Sequence, residues 1–305
     1  MFRKLIIPFL MLGLLVAACA PAPSAPITEN ISFTDGLGRQ VALAGPAQRV
    51  VSIAPSNTEI LFAIGAGQQV VGRDQYSDYP AEAAPVTDIG PTFEDLNTEQ
   101  IVALEPDLIL AAEINPPEQV KALEDLGLKV YYLKNPLTLE QMYGNLEIAA
   151  QLTGRETEAA DLIESLQARV AAVDEKIAPL SSRPGVFYEL DGTDPAKPYT
   201  AGKGTFIDLL IARAGAYNIA SEIEGYPQLS LEQVVAADPA FIILGDAAYG
   251  VTPESVAARP GWENLSAVEN GQIRPFDDNL VSRPGPRLVD GLEQLAKLLR
   301  PELFP

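Results

Sequence analysis

The stretch Leu96-Asn97-Thr98-Glu99-Gln100-Ile101-Val102-Ala103-Leu104-Glu105-Pro106-Asp107-Leu108-Ile109-Leu110 recurs later in the chain as Leu229-Ser230-Leu231-Glu232-Gln233-Val234-Val235-Ala236-Ala237-Asp238-Pro239-Ala240-Phe241-Ile242-Ile243. Leu, Glu, Gln, Val, Ala, Pro and Ile fall at matching positions. Each copy reads as a capped helix of about two turns, a proline that ends it, and a short apolar strand. Asn97 or Thr98 in the first copy and Ser230 in the second are N-caps, because their side-chain oxygens accept from free first-turn amides. Glu99 and Glu232 fall in the first turn, where the helix dipole favours a carboxylate. They are either helix-starting residues on solvated faces or two copies of one functional group. A unit duplicated at this distance implies two similar lobes rather than a short-period solenoid.

The order of elements around the two copies supports that reading. Ile31 to Leu43 alternates apolar residues around Asp35-Gly36, a β-hairpin pattern. Arg49 to Ile53 is a strand, Pro55-Ser56-Asn57 opens a helix that stops at Gly65, and Val70 starts another strand. Gly65 and Gly67 follow a helix, whereas a dinucleotide fingerprint opens one, so no nucleotide loop is read here. A helix near Pro117 to Leu126, a strand at Lys129 to Leu133 and a helix opened by Thr138 complete a strand–helix alternation, the signature of a parallel α/β sheet. Arg155 to Ile177 lacks Pro and Gly and places Ala159, Leu162, Ile163, Leu166, Val170, Val173 and Ile177 at helical spacing, predicting one helix of roughly 35 Å. It is too long for a crossover within a lobe and is expected to join two. The second lobe then runs from a strand at Val186 to Leu190 through a helix at Thr205 to Ala214, the second copy, a strand at Ile273 to Phe276, a loop at Asp277 to Pro286 and a helix at Leu288 to Leu299. The expected fold class is therefore α/β, two similar lobes with mostly parallel sheets joined by one long rigid helix. The expected divisions are residues 31–153, 154–180 and 181–305.

The N-terminus predicts export. Arg3-Lys4 precedes an apolar run from Leu5 to Val16 that is short for a permanent span, and Val16-Ala17-Ala18-Cys19 follows. Residues 1–18 read as a signal peptide and residues 19–30, rich in Pro and Ala, as a stiff tether. The chain carries a net charge of −20; losing Arg3 and Lys4 leaves 19 basic residues against 41 acidic ones, a mature charge of −22. That disfavours nucleic acid and anionic lipid as partners. Histidine is absent, which excludes Ser-His-Asp and Cys-His catalytic sets and histidine-held zinc or haem. With Cys19 the sole cysteine, disulfides and clustered thiolate metal sites are excluded too. A two-acid glycosidase remains open on composition, but no acid and base are singled out.

Two α/β lobes leave a cleft beyond the carboxyl ends of their strands. The loops leaving those ends carry Tyr76, Phe93, Tyr188, Tyr199 and Tyr226, with Asn279, Arg283 and Arg287. Aromatic walls with a few charged or amide groups suit a large, planar or partly apolar ligand.

The motifs Arg49-Val50-Val51-Ser52-Ile53-Ala54-Pro55-Ser56-Asn57-Thr58-Glu59, Tyr76-Ser77-Asp78-Tyr79-Pro80, Glu99 through Leu108 and Arg283-Pro284-Gly285-Pro286-Arg287 together resemble the solute-binding proteins of ABC importers for cobalamin and ferric siderophores, over roughly Gln48 to Leu299. Val16 to Cys19 similarly resembles a lipoprotein lipobox. The resemblance implies a type III periplasmic-binding-protein fold, no enzymatic activity, no cofactor and no resident metal. It implies a monomer tethered by lipidated Cys19 on the extracytoplasmic side of the membrane, with a metal chelate as ligand (a corrinoid or ferric siderophore, or alternatively haem) and a permease dimer with its ATPase as partner. It adds Ser56 and Asn57 to the ligand-binding set and implies that Glu99 and Glu232 meet arginines on the two permease subunits. Cobalamin binders commonly have Trp near the positions of Phe93 and Tyr226; this chain has none there. A sensory or structural lipoprotein of the same fold is the alternative.

Overall fold

The computed structural model describes residues 31–92 and 96–304. The signal-like segment, Cys19, the tether and Phe93 lie outside the described residues. Ile31–Thr34 (β1) and Gln40–Leu43 (β2) form the expected antiparallel hairpin. The N-terminal lobe continues through Val50–Ser52 (β3), Pro55–Ala63 (α1), Val70–Arg73 (β4), Thr87–Asp88 (β5), Thr98–Ala103 (α2), Leu108–Ala112 (β6), Pro117–Asp125 (α3), Val130–Leu133 (β7) and Leu139–Thr153 (α4). Its five-stranded sheet has the order β5-β4-β3-β6-β7, and each of these neighbours pairs in parallel. Gly72 of β4 lets the end of the first repeat press on the sheet: a Cβ there would sit 2.6 Å from a Leu104 methyl, which would have to shift.

Glu156–Ile177 (α5) follows, with Arg155 as its N-cap. The C-terminal lobe comprises Gly185–Asp191 (β8), Tyr199–Thr200 (β9), Phe206–Arg213 (α6), Tyr217–Asn218 (β10), Leu231–Ala237 (α7), Phe241–Leu244 (β11), Pro253–Ala257 (α8), Ser266–Glu269 (α9), Ile273–Pro275 (β12), Asn279–Ser282 (α10) and Leu288–Leu299 (α11). Strands β10-β8-β11-β12 are parallel neighbours, and β9 runs antiparallel against β8. The region expected as loop between Asp277 and Pro286 thus contains the short helix α10.

The repeat occupies the same place in both lobes. Its strand, β6 or β11, lies beside the first strand of its sheet, β3 or β8, and the chain winds away on either side. A topological switch point therefore falls between β3 and β6 and again between β8 and β11. Asn97, rather than Thr98, caps α2, its Oδ1 accepting from Gln100 N at 3.1 Å. Ser230 Oγ accepts from Gln233 N at 3.3 Å while Gln233 Oε1 accepts from Ser230 N at 2.8 Å, a complete capping box. Among the described residues only Glu105 (φ 47°) and Asp238 (φ 42°) are non-glycines with positive φ. They are the same repeat position, each before a proline that bars the right-handed helical region and turns the chain into its strand.

Helix α5 ties the lobes into one core. At 22 residues it is about 33 Å long. Ala159, Ile163, Leu166, Val170, Val173 and Ile177 are buried along one stripe, and Leu162 is partly buried. That stripe joins a single apolar cluster running from Leu61 and Leu146 of the first lobe to Leu210 and Leu292 of the second. Burying these six side chains is worth roughly 10 kcal/mol before chain entropy is set against it. The outer sheet faces have separate cores, around Ile53, Ile109 and Leu123 in one lobe and Phe187, Ile242 and Trp262 in the other.

Candidate functional site

A cavity of about 590 Å³ opens between the lobes. Ala54-Pro55-Ser56 after β3 and Ala112-Glu113-Ile114 after β6 form its N-terminal wall, with Tyr76 and Asn135. Tyr226, Tyr249 and Ser282-Arg283-Pro284 face them from the second lobe. The size suits a small-molecule site, and the position follows from topology, because strand ends at a switch point diverge and leave a crevice. A larger cavity of about 820 Å³, bordered by Phe241, Arg274, Lys297 and Phe304, is built by the second lobe alone. The interlobe cleft is the candidate site.

Buried amides hold its first wall. Asn57 Nδ2 donates to Leu110 O at 3.1 Å, and Asn115 Nδ2 donates to Ile53 O at 3.0 Å while its Oδ1 accepts from Ala112 N at 2.9 Å. These bonds staple β3 to β6 just past their ends. Asn57, expected as a ligand contact, is a fully buried staple instead, whereas its neighbour Ser56 lines the cleft. Asp74 sets the Tyr76 loop: its Oδ1 accepts from Tyr76 N at 2.9 Å, and Ser77 Oγ donates to its Oδ2 and lies 2.8 Å from Thr58 Oγ1. Burial pushes the Asp74 carboxyl up, against the opposing pull of those donors.

The second wall is fixed differently. Tyr249 is 89% exposed at the end of a 3-10 turn over Gly245–Tyr249 that Asp246 anchors by accepting from Gly192 N at 2.9 Å. Beside it, Arg259 donates to both oxygens of buried Glu189 at 2.5 and 2.8 Å. Burial raises the carboxyls of Glu189 and Asp246 alike. Sequence reading missed Tyr249; its only signal was a tyrosine followed by glycine a few residues past a repeat strand, the place where β6 delivers Ile114.

Where the lobes meet, a buried ion pair joins them. Glu59 of α1 is 2% exposed. Arg287 donates to it through Nε at 2.8 Å and Nη2 at 2.5 Å, and Arg283 Nη1 donates to it at 3.1 Å. Arg283 also reaches Asp78 at 2.6 Å, and the Arg287 guanidinium lies 4.0 Å over the Tyr79 ring. Arg287, expected at the ligand, is therefore turned away from the cleft into a lobe-to-lobe brace; Arg283 lines the cleft and joins the brace together. Glu59 was legible only as a lone acid among Ile60, Leu61 and Phe62.

The remaining expectations divide. Tyr76 (42% exposed) and Tyr226 (63% exposed) line the cleft. Tyr188 does not: it is fully buried, its hydroxyl donates to Asp278 Oδ1 at 2.9 Å, its ring meets Phe276 edge-on, and burial raises its phenol. An inward-facing position of a central strand is covered on both sides, which is why it became core. Tyr199 is half-exposed on β9, which bridges to Gln228, and is not among the residues lining the cleft. Asn279 donates to Asp277 from both N and Nδ2 at 3.1 Å and is not among the residues lining the cleft. Glu99 and Glu232 are exposed in the first turns of α2 and α7. Its own backbone amide, then Ser230, holds the Glu232 carboxyl below its usual range.

With that geometry in hand, comparison with known proteins is specific. The family model described as periplasmic binding protein matches residues 50–280. The uncharacterized ABC transporter substrate-binding lipoprotein YvrC of Bacillus subtilis is 32% identical over 279 residues, covering 90% of this chain and 87% of that protein. The vitamin B12-binding protein of Vibrio cholerae is 30% identical over 263 residues, covering 84% and 90%. The crystal structure of a periplasmic haem-binding protein from Pseudomonas aeruginosa superposes with a TM-score of 0.74 at 29% identity, covering 84% of this chain and 94% of that one.

Proposed function

The chain belongs to the periplasmic binding protein family, and from that premise we propose that it takes up a metal chelate, a corrinoid in the first instance, outside the cytoplasmic membrane and delivers it to an ABC importer. One relative is named an ABC transporter substrate-binding lipoprotein and another a vitamin B12-binding protein, which supports that role and a corrinoid ligand. The observation that supports the ligand class is the cleft itself. Tyr76 on one wall and Tyr226 and Tyr249 on the other line a cavity of about 590 Å³ that Arg283 also borders. Phenol rings stack on a broad macrocycle while their hydroxyls and the guanidinium meet its polar periphery. Haem is the second reading, favoured by the likeness to the periplasmic haem-binding protein of Pseudomonas aeruginosa; with no histidine in the chain, a tyrosine of the cleft walls would be the side chain able to meet its iron.

In this reading residues 1–18 are removed, lipidated Cys19 and the segment to residue 30 tether the protein, and lobes 31–153 and 181–305 flank the joining helix in 154–180. Glu99 and Glu232 dock the two permease subunits. Calorimetric titration with cyanocobalamin, haem and a ferric hydroxamate, together with native mass spectrometry of protein from its own host, tests the ligand; failure of all three to bind refutes it. Cys19→Ala should abolish lipid labelling, and unchanged labelling refutes the tether. Glu99→Arg with Glu232→Arg should keep fold and ligand affinity but lose transport.

A further inference from the structure

Of the described residues that line the cleft, only Glu113 and Arg283 carry charge. The charge of Arg283 is already matched. Its Nη1 donates to Glu59 at 3.1 Å and to Asp78 at 2.6 Å, and Arg287 pairs with Glu59 as well, so two guanidiniums face two carboxylates and the cluster is neutral. Glu113 has no such match. Its Oε2 accepts from Asn135 N at 3.1 Å, and among the described residues no lysine or arginine pairs with it. Lys134, close by along the chain, borders a different hollow with Leu137 and Ile148. The groups behind the walls add no positive charge either. Asp74 sets the Tyr76 loop, Asp246 anchors the turn that carries Tyr249, and Arg259 is held by both oxygens of Glu189. The cleft therefore offers its ligand one uncompensated carboxylate.

We propose that Glu113 sets the charge of the ligand: the cleft accepts a chelate with a neutral or cationic periphery and rejects one that brings carboxylates or an anionic metal centre. This rests on the reading of the cleft as a chelate site and narrows it. A corrinoid rim carries carboxamides, whose N–H groups can donate to Glu113, and the ammonium of a cationic ferric hydroxamate can do the same. Haem would bring its propionates against that wall, and a ferric tris-catecholate its excess negative charge. Like charges pressed together as the ligand displaces water cost affinity, and an unmatched charge of this kind is how a site refuses a ligand of the right shape. The fold does not ask for an acid at this position. Glu113 is exposed, and its bond to the Asn135 amide would be made equally by the side-chain oxygen of a glutamine.

The test is calorimetric titration of the full-length protein with ligands matched in shape and differing in charge. Cyanocobalamin is compared with its monocarboxylic acids, in which one rim amide is a carboxylate, and ferrioxamine B with its neutral N-acetyl and anionic N-succinyl forms. Wild type should bind the acid forms about tenfold more weakly than the neutral ones at low salt, with a smaller gap at high salt. Glu113→Gln should close the gap to within about twofold by tightening the acids, and Glu113→Lys should reverse the order. Asp78→Asn, which frees the Arg283 cation, should also tighten the acids. If the acids bind wild type as well as the neutral forms do, or if the gap survives in Glu113→Gln, charge selection by Glu113 is overturned and the chelate site stands. If corrinoids fail in every form while the ferric hydroxamates show the expected order, the corrinoid reading falls and Glu113 keeps its role. If neither scaffold binds in any form, the chelate reading is refuted and this inference with it.

Discussion

Replacing Arg287 with Met removes two charge-assisted hydrogen bonds to Glu59, at 2.8 and 2.5 Å, and the cation stacked 4.0 Å over Tyr79. What remains is a 2% exposed carboxylate with Arg283 as its surviving partner at 3.1 Å. Breaking a buried pair from one side typically costs 3–5 kcal/mol, because the other charge stays desolvated. With Arg283 still in place the lower end applies, about 3 kcal/mol. At roughly 2–4 °C per kcal/mol for a protein of this size, the melting temperature should fall by about 6–12 °C. Methionine fills much of the volume of the arginine stem, so packing loss is small. Removing the carboxylate as well should restore much of the loss: Glu59→Gln with Arg287→Met is expected to be more stable than Arg287→Met alone by more than about 1 kcal/mol. Urea denaturation of the four members of this cycle measures the coupling directly. A single variant within about 0.5 kcal/mol of wild type, or a cycle with no coupling, would refute the lobe-to-lobe brace.

Three further outcomes follow from the same structure. Alanine at Tyr76, Tyr226 and Tyr249 should each lower chelate affinity by about thirtyfold, a loss of about 2 kcal/mol, whereas Tyr188→Phe should leave affinity unchanged and only disturb the core; calorimetry decides, and intact affinity in all three alanine variants sinks the cleft assignment. Small-angle scattering profiles with and without chelate should nearly coincide, since the apolar stripe of α5 packs into the core shared by both lobes and bars hinge rotation; a marked compaction would contradict this. Burial raises the folded-state affinity of Asp246 for its proton, so the native state binds more protons than the unfolded one in the range just above the ordinary carboxyl value. Stability should therefore fall as pH rises from about 4 through that raised value, and Asp246→Asn should flatten the melting-temperature profile there, with an unchanged slope counting against it.

The legible parts of this protein were those that depend on chain neighbours. The N-caps at the starts of the two repeat helices, the proline stops, the apolar strands and the stripe of α5 are local consequences of side-chain chemistry and spacing, and the repeat made two similar lobes predictable. Tyr76, Tyr226 and Arg283 could be placed near the cleft because loops at the carboxyl ends of such strands have few other places to go. What sequence could not decide was which tyrosines stay open to a ligand: Tyr188 falls in the strand expected at Val186 to Leu190, but only the packing shows that both faces of that strand are covered. The partners of Arg287 and Asn57 were likewise hidden. Glu59 and Arg287 stand far apart along the chain, as do Asn57 and Leu110, and are brought within hydrogen-bond distance only when the lobes pack and β3 pairs with β6. Which polar groups satisfy one another and which are left to face a ligand is a property of three-dimensional adjacency, because a buried donor or acceptor is costly unless paired and takes whatever partner the fold brings to it.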